Sequence, residues 1–133
     1  MMQEYTPAEK KVLICGSRHW TNRELIRAWV DKLKCWGYTT VIEGEAPGAD
    51  TIARQEAVIA GMHVIPVPAN WAKYGRAAGP IRNTEMLSMD PDLVVAFHED
   101  ITKSKGTKNM VQLARYYNVQ TIVIDQEGKE VNT

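Results

Sequence analysis

Five short runs dense in Val and Ile, at 11–15, 39–42, 63–67, 93–97 and 121–124, alternate along the chain with segments of helical period. Apolar runs with so little polar alternation describe strands buried on both faces, the condition of a parallel sheet covered by helices. Parallel neighbours need a crossover, and right-handed crossovers leave few ways to connect five strands through four helices. The expected class is therefore α/β, a doubly wound and mainly parallel sheet of about five strands. The chain's 133 residues suit a single domain spanning 1–133, with a core at about 11–125. Both ends, 1–9 and 125–133, read as polar tails.

The helical segments carry their own punctuation. In Thr21-Asn22-Arg23-Glu24 the spacing is that of a capping box with Thr21 as the cap, followed by Leu25, Ile26, Trp29, Val30 and Leu33 on one stripe and a stop at Gly37. A second helix is expected from Asp50, read as its N-cap, through Ile52, Ala53 and Ala57 to Gly61. The third has Pro80 in its first turn, carries Arg82, Glu85 and Met86, and ends before Asp90-Pro91. A fourth starts near Thr107 and shows Met110, Val111, Ala114 and Tyr117 before Asn118.

Charge narrows the function classes. Lys+Arg and Asp+Glu balance at 16 each, which argues against a protein whose main task is coating nucleic acid. Cys15 and Cys35 have neither disulfide-framework nor zinc spacing and read as reduced core thiols. The three histidines, His19, His63 and His98, show no metal spacing, so no metal and no resident cofactor is expected. No apolar stretch approaches the ~20 residues that span a bilayer, and the first residues lack a signal-peptide core. A cytoplasmic protein without a membrane partner is expected.

In a doubly wound sheet, ligands bind beyond the carboxyl ends of the strands, and that is where the small-residue clusters fall. Gly44-Glu45-Ala46-Pro47-Gly48-Ala49-Asp50 opens into a helix and has the outline of a phosphate cradle, although it matches neither the P-loop nor the dinucleotide glycine pattern. Gly16-Ser17-Arg18 follows the first strand and offers a hydroxyl and a guanidinium, unless it is only a strand-to-helix turn. Glu43 and Glu45 read either as solvated carboxylates or as acceptors for a ribose hydroxyl. The segment 71–76 reads as a lid loop in which Trp71 or Tyr74 either stacks on a base or plugs the core edge. Arg82 and Asn83 stand at a helix start, and Gly106-Thr107 opens another, where the Thr107 hydroxyl serves as a cap or as part of an anion pocket.

The order of these pieces is itself informative. Cys15-Gly16-Ser17-Arg18-His19-Trp20, Gly44 through Gly48-Ala49-Asp50, Pro68-Ala69-Asn70-Trp71, Gly79-Pro80-Ile81-Arg82-Asn83 with Met86, Ala96-Phe97 and Gly106-Thr107 resemble the YspA/YpsA-related branch of the SLOG superfamily, over about 12–124. The resemblance implies a Rossmann-like three-layer domain that binds a nucleotide or nucleotide-derived ligand, in a superfamily that includes Lonely Guy phosphoribohydrolases, DNA-processing proteins of the DprA type and molybdenum-cofactor carriers. Arg82 matches the phosphoribohydrolase arginine, and Gly106-Thr107 the Gly-Thr of their Pro-Gly-Gly-x-Gly-Thr-x-x-Glu motif. In this chain 99–105 replaces the Pro-Gly-Gly run and Met110 stands in the place of the glutamate, and a thioether cannot do a carboxylate's work in glycosidic cleavage.

The leading expectation is a sensor or sequestering module for a nucleotide-like or ADP-ribose-like phosphate, bound by Gly16, Ser17, Arg18, Gly44, Gly48, Ala49, Asp50, Trp71, Arg82, Asn83, Gly106 and Thr107. Its rival is a hydrolase of nucleoside 5'-monophosphate N-glycosidic bonds, with Arg82 orienting the substrate and an acid from Glu85, Glu43 or Asp50. A third reading is a single-strand nucleic-acid binder using Arg18, Lys73, Arg76, Lys103 and Lys105 with Trp71 or Tyr74, against which the neutral charge counts. Related families suggest a homo-oligomer.

Overall fold

A computed structural model describes residues 9–132. The elements are β1 (Lys11–Gly16), α1 (Arg23–Cys35), β2 (Thr40–Glu43), α2 (Ala49–Ile59), β3 (His63–Pro66), α3 (Trp71–Tyr74), α4 (Ala78–Leu87), β4 (Leu93–Phe97), α5 (Gly106–Tyr116) and β5 (Thr121–Ile124), with single 3-10 turns at Gly75–Ala77 and Ile101–Lys103. All five strands pair in parallel, in the order β3-β2-β1-β4-β5. The chain winds outward from β1 to β3, then crosses back to β4, so the sheet's direction of growth reverses between β1 and β4. Among the described residues no helix is long and apolar enough to cross a membrane.

Side-chain alternation along the strands divides the core into two layers. Val12, Ile14, Val41, Leu93, Val95 and Phe97 face α1 and α2, where Ile26, Val30, Leu33, Ile52, Ala53 and Ala57 cover them. Leu13, Cys15, Ile42, Val94 and Ala96 face α4 and α5, against Met86, Leu87, Met110, Val111 and Ala114. This is the three-layer α/β/α arrangement read from the apolar runs. β3 departs from it, being an edge strand whose end residues are exposed.

Several local expectations are corrected. Asn22, not Thr21, caps α1, its Oδ1 accepting the Leu25 N–H at 3.3 Å. Cys35 lies exposed at the end of α1 rather than in the core. The expected lid at 71–76 is helical, formed by α3 and the 3-10 turn. The expected C-terminal tail is folded: Asp125 Oδ1 accepts the N–H groups of Glu127 and Lys129, Ile124 bridges Glu130, and Val131 packs on the α4/α5 layer. The expected N-terminal tail falls outside the described residues except for Glu9.

Candidate functional site

Parallel strands all point their carboxyl ends at one rim, and the chain's loops after β1, β2 and β4 meet there through close packing. A Cβ on Gly16 would overlap the Phe97 carbonyl and lie 2.8 Å from the Ala49 Cβ. The Ser17 N–H donates to the Phe97 carbonyl at 2.8 Å, and the Ala49 N–H to the Ser17 carbonyl at 3.0 Å. Gly44 is flanked by the Arg82 guanidinium and by Asp50 Oδ2, which would lie 2.5 and 3.0 Å from a Cβ placed there. Asn83 Nδ2 donates to the Gly106 carbonyl at 3.2 Å and to Asn109 Oδ1 at 2.9 Å, tying α4 to the first turn of α5. The four clusters separated in sequence are thus one connected surface.

Within it, the cradle is partly filled by the protein's own acids. Three successive amides of the turn after β2 are taken by two carboxylates: Gly44 and Ala46 donate to Asp50 Oδ2 at 3.2 and 3.3 Å, and Glu45 donates to Glu43 Oε2 at 2.6 Å. Asp50 is therefore not the N-cap. It sits in the first turn of α2 and reaches back, while Gly48, at φ 78°, occupies the cap position. Nor is Gly48 an open approach for a ligand, since the Ser17 and Arg18 backbone fills the space where its Cβ would stand.

Burial dominates the electrostatics here. Asp50 is 4% exposed and its carboxyl is pushed up to about 7, desolvation outweighing the Ala46 amide and the Arg82 charge that pull it down. Desolvation also raises the fully buried Glu43, whose Oε1 has no hydrogen-bond partner among the described residues. The Cys15 thiol, in the layer below, is pushed far up by burial and is inert as a nucleophile. Arg82 meets only neutral acceptors, the Gly44 carbonyl at 2.6 Å from Nη1 and Asn83 Oδ1 at 3.1 Å from Nε, and forms none of the ion pairs among the described residues.

On the β1/β4 side the chemistry is acidic. Ser17, expected to face phosphate, donates its hydroxyl to Glu99 Oε1 at 2.8 Å and accepts the His19 N–H at 3.0 Å. Burial pushes Glu99 up, but its own amide and the Ser17 hydroxyl outweigh it and hold the carboxyl below its ordinary range. Sequence reasoning missed Glu99; its place two residues beyond β4 was the available signal. Arg18 is exposed on the same loop.

At the start of α5 the capping group is Ser104, whose Oγ accepts the Thr107 and Lys108 N–H groups at 3.0 and 3.2 Å. Thr107 is buried inside the first turn and does not cap, while the space beside Gly106 is open. Met110 is in the core at 1% exposure, so α5 contributes no carboxylate to the rim. Glu85 lies exposed on α4, and Trp71 stands half-exposed on α3 beside Gly79. Among the described residues no group of three His, Cys, Asp or Glu is placed to hold a metal.

Comparison with known proteins shows the family and the fold. Residues 10–74 match the family described as YspA, cpYpsA-related SLOG. The Gene 61 protein of Mycobacterium phage D29 is 35% identical over 124 residues, covering 85% of this chain and 94% of that protein. The X-ray structure of DNA processing protein A (DprA) from Streptococcus pneumoniae superposes with a TM-score of 0.72 at 18% identity, over 87% of this chain. The chain spans 50% of that DprA, and the likeness is one of fold.

Proposed function

This chain belongs to the YspA, cpYpsA-related SLOG family, and from that premise we propose that its C-terminal rim binds the phosphate of a nucleotide or nucleotide-derived ligand as a sensor or sequestering module. One observation carries the reading. Arg82 is a half-buried guanidinium held in place by two neutral oxygens, and among the described residues it feels the Asp50 and Glu43 carboxyls only at a distance, with no ion pair to either. A phosphate meeting Arg82 would also find the open space at Gly106 and the positive end of α5 within the same connected rim.

The test is calorimetric titration of wild type and Arg82→Ala with AMP, ADP and ADP-ribose. A charge-assisted hydrogen bond contributes about 1.5–3 kcal/mol, so the variant should bind roughly ten- to a hundredfold more weakly. Undiminished affinity in a folded Arg82→Ala variant would overturn the assignment.

A hydrolase is the second reading, favoured by Asp50, a buried carboxyl poised near neutrality whose oxygen binds the Gly44 amide while Arg82 binds the Gly44 carbonyl. Met110, in the core where the phosphoribohydrolases have glutamate, weighs against their mechanism. Sustained release of free base from AMP, abolished by Asp50→Asn, would establish it; binding without turnover favours the module.

A further inference from the structure

The chain's four tryptophans have different fates. Trp20 is buried against Phe97 with ring centroids 5.6 Å apart, and Trp29 and Trp36 meet edge to face at 6.4 Å with the Lys32 amine over both rings. Trp71 has no ring or cation partner among the described residues, and 55% of it is exposed. The neighbouring Tyr74 differs, because Lys73 places its own amine 5.0 Å from that ring.

Trp71 is also held in position. Asn70 caps α3, its Oδ1 accepting the Lys73 N–H at 3.1 Å, and the Trp71 Cη2 would lie 3.5 Å from a Cβ on Gly79. Gly79, Arg82 and Asn83 stand at i, i+3 and i+4 on α4, so they share one face of that helix. Gly79 and Arg82 are separated by about 4.5 Å of helical rise. The tip of the exposed indole therefore rests beside the residue one helical turn before Arg82 on that shared face.

We infer that Trp71 is the platform on which the ligand's aromatic base stacks, so that the site selects base-bearing phosphates over bare sugar phosphates and tolerates different bases. This rests on the reading of Arg82 as the phosphate anchor. Every base presents a π-face, and stacking on an aromatic side chain does not read hydrogen-bonding edges. The indole's amphipathic ring suits a half-exposed platform better than a core plug, since more than half of it is exposed and it belongs to neither core layer of the described residues.

The experiment compares AMP, UMP and ribose 5-phosphate binding to wild type, Trp71→Ala, Trp71→Phe and Arg82→Ala by calorimetry. Wild type should bind both nucleotides at least about tenfold tighter than ribose 5-phosphate. Trp71→Ala should weaken the nucleotides roughly ten- to a hundredfold and leave ribose 5-phosphate unchanged, while Trp71→Phe retains most of the nucleotide affinity. Arg82→Ala should weaken all three. Equal wild-type affinity for AMP and ribose 5-phosphate, or unaltered AMP binding by Trp71→Ala, overturns the platform while leaving the phosphate site standing. No binding of any probe by wild type removes both.

Discussion

Asp50→Asn isolates the cost of keeping the first-turn carboxyl of α2 buried against the turn after β2. Asparagine preserves an oxygen able to accept the Gly44 and Ala46 N–H groups that Asp50 Oδ2 accepts at 3.2 and 3.3 Å, but carries no ionisable proton. In the folded chain Asp50 titrates at about 7 against an ordinary 3.8. Below pH 3.8 both folded and unfolded chains hold the proton; between 3.8 and 7 the folded chain alone retains it, so stability falls as pH rises and levels off above about 7. At 1.36 kcal/mol per unit, the loss from this site between pH 5 and pH 8 is about 3 kcal/mol. Urea unfolding of both proteins, followed by tryptophan fluorescence, measures it. The wild-type stability relative to Asp50→Asn should fall by that amount across the interval, and histidine contributions cancel in the difference. A difference constant to within about 0.5 kcal/mol would show that Asp50 is already ionised at pH 5 and refute the burial argument.

Other perturbations probe separate parts of the account. Gly16→Ala forces a Cβ into the Phe97 carbonyl at the β1/β4 junction and should cost about 3 kcal/mol or more, seen as a drop of roughly 10 °C in melting temperature; a shift under about 2 °C would mean that the junction yields. Met110→Glu puts an unpaired charge into the α4/α5 layer and should unfold the protein rather than restore glycosidic cleavage, read by circular dichroism and a base-release assay. The Arg27 guanidinium, joined by Arg23, holds Glu56 below its ordinary range, so that stability is present above about pH 4.5 and is lost as pH falls below it. Glu56→Gln should therefore flatten the acid limb of the stability profile. In gel shifts with single-stranded DNA, the neutral chain should show no retention at moderate salt; a retained, steeply salt-dependent complex would favour the nucleic-acid reading.

Strands were the most legible part of the sequence, because burial on both faces leaves a composition that turns and helices lack. The run at 93–97 is β4 and that at 121–124 is β5, residue for residue. Caps were less legible for a chemical reason: threonine and asparagine side chains are both able to accept from helix N–H groups, and only the path by which the chain enters α1 selects Asn22 over Thr21. Asp50 shows the same ambiguity in sharper form. An aspartate before an apolar run reads as a cap, yet its carboxyl here turns back to amides four and six residues earlier, a pairing set by the turn's path. Glycines told where the chain packs closely more than where a ligand enters, since the space at Gly16 and Gly48 is filled by backbone and that at Gly106 is open. Glu99 escaped notice because its partner Ser17 is 82 residues away, brought near only by the pairing of β1 with β4.

The most direct measurement is a 15N-resolved NMR titration of the wild-type chain with AMP, following backbone amides and the Arg82 Nε–H. Saturable shifts concentrated at Arg82, at Gly44 to Ala46 and at Gly106 and Thr107 are predicted. An absence of saturable shifts at millimolar ligand, or shifts confined to residues away from the strands' carboxyl ends, would contradict a phosphate site at this rim.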